Sequence, residues 1–501
     1  MAAQDLEALI EIDGAFGEGG GQILRNSTAY AVLYKRPVRV VNIRANRPGG
    51  GGLRPQHCSA MTTVGEMGNA KLEGVEPKSK VAQIIPGELK TAGSLIADPG
   101  TAGSTMLLAQ AVLPVMVAAA YANIKAEHMH TIDQSAAEVD PQTPVAAAQA
   151  AAEPPLHVTL RGGTSQTMAP LVEYLMEVLV PTMKRTTGVH VQCSLVKRGY
   201  VPKGQGEVTL QVTQMPAEVG PPTAQGAPHL PVWAFQLIKR GIKLTKLVAH
   251  VSCSGYGPGG ADALSAAALK SAQAALPKLL ESFAAGTFTS GSEAAAADGT
   301  SIEQAAPEVS VKLHASQHGE HTTLGRGLSL VLVAHDEEGN IWGASHIHSD
   351  GGKRGKGWQK QGRGGRRADR GRGGKHQGSG THPEHTQSGP QDKAADMQQH
   401  IVDVFSTAQK QLCLELAGGG CVDSFAADQL VVFAAMTRHP DECRVLLGRA
   451  GAEKDGGCVS EHLRAAVYVA NTLSPHRKVF LEEQDGAAPG GKVAFLVSVP
   501  S

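Results

Sequence analysis

The stretch EIDGAFGEGGGQILR, residues 11–25, decides how the N-terminal part of the chain folds. It follows the strand-like LIEIDG and leaves through a run of glycines into a helix read over Gln22–Leu33. A second strand-like segment, VRVVNIRA, comes next and is rich in β-branched residues. Residues 17–21 are not a Walker A loop, because no GxxxxGK[ST] is present. They are not a dinucleotide fingerprint either, since GxGxxG with its following acidic residue is absent. Taken alone they form a backbone turn, around which Glu18, Gln22 and Arg25 project.

Outward from this stretch the same grammar recurs. Helices are expected over 56–70, Gly103–Ala120 and Ala169–Arg185, and strands at HVTLRGG, VHVQCSLVKRG and GEVTLQV. A turn of Gly, Ser, Thr or Asp leads into a helix at GEGGGQ, GTAGST, GGTSQTMAP and GGGCVDSFAADQL. Such units gather helix N-termini, with their free N–H groups, near one surface, and that arrangement suits phosphate. Residues 232–347 hold a helix at 261–283 and strands near 308–314 and 328–335, and read as a smaller inserted α/β domain. Two helices around a glycine turn fill 396–436, and KVFLEE and KVAFLVSV close the chain as strands. The domain organisation expected is therefore 1–215, the insert 232–347, a Gly/Arg-rich tract 350–393 and 396–501, with the first and last segments forming one large domain. Low-complexity stretches at 138–155, 216–231 and 284–307 read as loops or linkers, as does SHIHSD at 345–350, whose His346 and His348 lack a third metal ligand.

Of 501 residues 42% are hydrophobic but only 4% aromatic, so the core is aliphatic. Seven cysteines (Cys58, Cys193, Cys253, Cys413, Cys421, Cys443 and Cys458) show no CxxC, which argues against a zinc ribbon or a disulfide scaffold and fits a reducing compartment. No secretory signal and no membrane-spanning segment is read, and the expectation is a soluble, intracellular protein. The net charge of zero hides an asymmetry. Residues 353–375 carry ten Lys or Arg against Asp369, a local +9, and leave −9 elsewhere. A tract of this kind, disordered by composition, suits non-specific RNA contact, nuclear import or neither.

Arg44, Arg47 and Arg54, with Gln56 and His57, lie in a glycine-rich stretch where guanidinium groups can hold a polyanion. Together the strings EIDGAFGEGGGQILR, IRANRPGGGGLRPQH, PGTAGSTMLLAQ, LRGGTSQTMAP, RGYVPKGQGEV and VDSFAADQLVVFAAM resemble, in order, the RNA 3′-terminal phosphate cyclases. The resemblance covers roughly 9–215 and 396–480. It implies an α+β fold whose large domain is three repeated βαβαββ-like units with a smaller inserted α/β domain. It implies an ATP-dependent, ligase-type enzyme that turns an RNA 3′-phosphate into a 2′,3′-cyclic phosphate through enzyme-histidyl-AMP and RNA-adenylate intermediates. It also implies a divalent metal, Mg²⁺ or Mn²⁺, an RNA substrate with a 3′-phosphate end, and a place in the nucleus or nucleoplasm.

Residue by residue, the resemblance makes His462 the nucleophile, with His439 and His476 as rivals. A cap at Ser460 would put His462 in the first turn of a helix. Arg464 and Ala465 depart from the small hydroxyl residues usual after that histidine. Glu18 corresponds to a metal-binding carboxylate. Arg25, Arg44, Arg47, Gln56 and His57 correspond to the phosphate site, and Gln110, Phe425, Asp428 and Gln429 to the nucleotide site. Phe425 stands where the family has Tyr, and Gln205 interrupts a glycine turn. A second reading, a catalytically inactive cyclase-like ribosome-assembly factor, is opposed by Glu18, Gln22, Gln56, His57 and His462, which that branch lacks. A third, a carboxyvinyl transferase built of related units, is opposed by the cyclase strings themselves.

Overall fold

The computed structural model describes residues 9–136, 154–167, 169–216, 230–254, 260–285, 306–316, 327–349, 390–439, 441–448, 459–485 and 492–500. The basic tract at 353–375, Cys458, and most of the segments read as loops at 138–155, 216–231 and 284–307 lie outside them. The protein is a mixed α and β fold. In chain order its first part is β1 (Ile10–Asp13), α1 (Gly21–Tyr34), β2 (Val38–Val41), α2 (Pro55–Met67), β3 (Lys71–Glu73) and β4 (Ala82–Ile85). These strands form one sheet in the order β1-β2-β4-β3, with β1 and β2 parallel. From Gln22 onward every residue of α1 is buried, so this is a core helix rather than a surface one.

Next come β5 (Ser94–Ala97), α3 (Thr105–Ala136), β6 (His157–Gly162), a helix α4, β7 (His190–Lys197) and β8 (Gly206–Gln214), with sheet order β5-β6-β8-β7. Helix α4 joins Val172–Tyr174, a π-helical stretch Leu175–Leu179 and Val180–Thr187. The expectation of no membrane-length apolar segment is corrected by α3. Its Thr105–Ile124 portion, 20 residues, is long and apolar enough to cross a membrane, but 83% of its apolar window is buried within the fold. It packs against α1, α2, β6 and β8, which is why a core with few aromatics needs so continuous an aliphatic helix.

Further along lie β9 (Gln236–Leu237), β10 (Leu244–Ser254), α5 (Gly260–Ala285), β11 (Glu308–Ser316), β12 (Gly327–Asp336), β13 (Ile341–Ser349) and α6 (Pro390–Ala417). The chain then gives α7 (Ser424–Met436), β14 (Cys443–Leu447), α8 (Glu461–Leu473), β15 (Arg477–Asp485) and β16 (Lys492–Pro500). One sheet here has the order β11-β10-β12-β13 and another β15-β16-β14-β9. Two hydrophobic cores result. The second is built by β10, α5, β12, β13 and the 401–416 part of α6. Strand β12 serves both: Val331 and Val333 face the first core, and Leu328, Leu330, Leu332 and Ala334 face the second. The period-2 alternation of a strand is what lets one segment do this.

The reading of 345–350 as a linker is also corrected. His346 and His348 belong to β13, pairing with Leu330 and Leu328 of β12 across an antiparallel register, and Ile347 between them is buried. The signal of that strand is slight, a single apolar residue, Ile347, between two histidines. His348 stacks on His400 of α6 with ring centroids 3.7 Å apart.

Candidate active site

The cleft is assembled from helix beginnings. The turn before α1 needs glycine at two left-handed positions, Gly17 (φ 57°) and Gly19 (φ 60°). Asn46 Nδ2 donates to the Ala15 carbonyl at 2.7 Å, and Phe16 stacks on Tyr468 of α8 with centroids 4.2 Å apart. The loop is thereby fastened between two elements, and Glu18 stands at its tip. Arg47 pairs with the Glu18 carboxylate, and His462 Nε2 lies 3.6 Å from Glu18 Oε2.

His462 occupies the first turn of α8, capped by Ser460, whose Oγ accepts from the Leu463 N–H at 3.2 Å. Its side chain is half exposed and open to the cavity. Helix α2 begins at Pro55, and His57 reaches back so that its Nδ1 accepts the Arg54 N–H at 3.1 Å. A neutral ring held this way carries its proton on Nε2. Burial, then the charges of Arg25, Arg44 and Arg54, lower His57 to about 3, so it stays neutral near pH 7. Its Nε2 points at the start of α1, where a Cβ on Gly21 would come within 2.5 Å of it. That glycine keeps the donor accessible.

Arg25 is buried, and desolvation lowers it to about 10, with Asp428 as its compensating charge. Arg44 is likewise lowered by burial and by Arg54 and Arg47 beside it. Such crowding of cations is unfavourable without an anion between them. Asp428, on α7, is raised to about 7 by burial, opposed by hydrogen bonding from Gln429 and by the charge of Arg25. Asp423 caps α7, accepting from Ala426 N–H at 2.9 Å, from Gly343 N–H of β13 at 2.8 Å and from the Tyr174 hydroxyl at 2.5 Å. This anchor fixes where Phe425 and Asp428 stand.

These groups line one cavity of about 1100 Å³. Of the residues expected from the sequence, Glu18, Arg25, Arg44, Arg47, Gln56, His57, Phe425, Asp428 and His462 line it together. Gln110 and Gln429 are buried and do not. Gln429 touches Asp428 through its amide N–H instead. Gln56 Oε1 accepts from Ser104 N–H at 3.3 Å and so ties the start of α2 to that of α3. The rival histidines, His439 and His476, are absent from the lining. The starts of α1, α2, α7 and α8, and the turn before α3, all border the cavity, so several positive helix ends face one space.

The rest of the lining was not read from the sequence. It comes from Ser345, His346 and Ile347 of β13 and from Gln411, Leu414 and Glu415 of α6. Only the HxH alternation hinted at any of it; nothing in the local pattern of α6 marks a face turned to a cleft. Among the described residues no three His, Cys, Asp or Glu side chains converge as a metal site. Glu18, Asp428 and Glu415 all line the cavity without converging, and Glu18 fits a hard divalent ion only if phosphate oxygens and water complete the shell.

The family model described as RNA 3′-terminal phosphate cyclase matches residues 16–128 and 142–478. An RNA 3′-terminal phosphate cyclase of Pyrococcus furiosus is 38% identical over 200 residues, covering 40% of this chain and 48% of its own. One from Sulfolobus acidocaldarius is 36% identical over 202 residues, covering 40% and 49%. One from Ignicoccus hospitalis is 41% identical over 200 residues, covering 40% and 46%. The chain thus spans about half the length of these curated relatives.

Proposed function

The chain belongs to the RNA 3′-terminal phosphate cyclase family, and from that premise we propose that it converts an RNA 3′-terminal phosphate to a 2′,3′-cyclic phosphate at the expense of ATP. The observation that carries the reading is a half-exposed histidine on a helix N-terminus, facing the same cavity as Arg25, Arg44, Arg47 and His57. An accessible imidazole and a cradle of cations are what attack on an esterified phosphate requires.

In this reading His462 Nε2 attacks the α-phosphorus of ATP; the P–N bond forms and the bond to pyrophosphate breaks. An oxygen of the RNA 3′-phosphate then displaces the histidine and takes the AMP. The neighbouring 2′-oxygen attacks the activated phosphorus, loses its proton and expels AMP. That last step is intramolecular, so orientation supplies much of the rate. Arg25, Arg44 and Arg47 hold phosphate oxygens, and His57 donates from Nε2 without adding charge. Phe425 offers a ring face for the base. Glu18 would hold Mg²⁺ or Mn²⁺, and the ion would supply charge neutralisation at the phosphates.

We read the shared strand order of β1-β2-β4-β3, β5-β6-β8-β7 and β9-β14-β16-β15 as three copies of one βαβαββ unit, and we place the end of the inserted unit after α6 rather than at 347, with the large domain resuming after α6 rather than at 396, because 401–416 lines the second core. The RNA substrate and a nuclear or nucleoplasmic location belong to the same proposal.

The test is incubation with α-labelled ATP and a divalent metal, followed by peptide mapping. A covalent AMP adduct on the peptide holding His462, abolished in the His462→Ala variant, is the expected result. An adduct that persists in that variant removes His462 from the role.

A further inference from the structure

We propose that Tyr174, which does not itself border the cavity, is a positioning residue of the nucleotide site: the edge of its ring sets the plane of Phe425. The inference rests on the reading of Phe425 as the ring face for the base, and it names what aims that face.

Phe425 needs a guide from outside. Its phenyl ring has no polar atom with which to anchor itself, and a side chain bordering a cleft keeps rotamer freedom unless neighbours remove it. The ring packs against the first core and also lines the cavity. The Tyr174 ring meets it edge to face, with centroids 6.0 Å apart and planes at 68°. Aromatic quadrupoles favour this arrangement, in which the edge of one ring fixes the plane of the other.

Tyr174 is itself held from several sides. It is 1% exposed and absent from the cavity lining, so anything it does for a ligand passes through a neighbour. Its hydroxyl donates at 2.5 Å to Asp423 Oδ1, the carboxylate that caps α7 two residues before Phe425. The Gly343 N–H of β13 donates at 2.8 Å to the other oxygen of the same carboxylate. Gly343 also passes so close to the Tyr174 ring that a Cβ there would come within 2.7 Å of Cδ2 and 2.8 Å of Cε2. Cap, ring and strand thus form a closed set, and the ring cannot turn without breaking one of these contacts. Its two ends do separate work. The hydroxyl satisfies the cap and supports α7, while the ring edge aims Phe425.

The experiment measures equilibrium binding to the full chain of ATP and of ribose 5-triphosphate, which keeps sugar and phosphates and lacks the base. The ratio of the two affinities reports contacts to the base alone. Tyr174→Leu is expected to lower ATP affinity about fivefold and to leave ribose 5-triphosphate within about twofold. Tyr174→Phe keeps the ring edge and is expected to bind both ligands within about twofold of the wild type, while unfolding at lower denaturant. A tyrosine that merely filled the core would weaken both ligands together or neither. In a Phe425→Leu background, adding Tyr174→Leu is expected to change the ratio by less than about twofold, because the ring it acts through is gone. If Tyr174→Leu fails to fold, Gly343→Ala carries the test, since its Cβ must displace the ring; a loss of about threefold confined to ATP is expected. A ratio unchanged in the variant that folds, while Phe425→Leu lowers it, overturns the positioning role alone. So does a loss in Tyr174→Phe as large as in Tyr174→Leu. A ratio unchanged in Phe425→Leu, or a wild type that binds no nucleotide, overturns the reading of Phe425 as well.

Discussion

Asp428 carries a carboxyl group where water barely reaches it, at 6% exposure. Burial lifts it from its ordinary 3.8 to about 7, even with Arg25 and the Gln429 amide opposing. A raised folded-state value means that the folded chain holds a proton the unfolded chain has already released. The associated stability is present below 3.8 and is lost as pH rises through 7. Replacing Asp428 by Asn removes this dependence. Between pH 5 and pH 8 the Asp428→Asn variant should gain on the wild type by on the order of 2 kcal/mol in urea unfolding. A difference independent of pH would place the titration elsewhere. Gln205 shows another residue under constraint. It adopts φ 56°, a left-handed conformation that glycine reaches at less cost. The turn that the sequence puts in question is thus kept, with a side chain where glycine is the easier choice.

At the scale of elements, the glycine loop and α8 behave as one device. The Phe16–Tyr468 stack, the Tyr468 hydroxyl accepting from the Asp13 N–H at 3.3 Å, and Glu461 lying 2.9 Å from where a Gly17 Cβ would be all hold loop and helix together. Glu18 and His462 ride on these two partners and meet at 3.6 Å. A stacked pair of this kind contributes about 1 kcal/mol beyond its buried area. Its larger effect is on alignment, where small misplacement slows a reaction steeply. Phe16→Ala should slow single-turnover adduct formation about tenfold while the KM for ATP changes by less than about twofold. Equal loss in both, or in neither, would sink the alignment role.

At the scale of the whole molecule, the two cores are joined by a buried ion pair. Glu173 of α4 and Arg198, just after β7, meet at 2.6 Å with both side chains 4% exposed. Ser252 of β10, from the second core's sheet, donates to Glu173 at 2.6 Å, and the Tyr200 hydroxyl donates to the Ser252 carbonyl at 3.3 Å. Burial alone would raise Glu173; Arg198 and Ser252 more than offset it and hold it ionised. Removing one partner strands the other in the dry interior. Glu173→Ala should therefore cost about 3–5 kcal/mol, and Glu173→Leu with Arg198→Met together should cost less than either single change. Denaturant midpoints of the three variants check this; a double variant worse than both singles contradicts it.

What the sequence by itself determined lies where local rules are strong. The glycines of 17–21 require a turn, the aliphatic run after Ser104 requires a buried helix, and Ser460 caps the helix that bears His462. The longer strands were legible for different reasons: β8 alternates buried and half-buried residues, and β12 is a nearly continuous apolar run buried on both faces. Short strands such as β9, two residues long, carried no such signal and exist only because a neighbouring strand pairs with them. The tertiary structure alone decided that Gln411 and Glu415 of α6 and His346 of β13 line the same cavity as the arginines of the N-terminal part. It also decided that Gln110 and Gln429 stand behind the cavity wall rather than in it. A cleft between two cores is defined by how distant faces meet, and no local pattern of side chains records which face of a helix will border water and which will border a ligand.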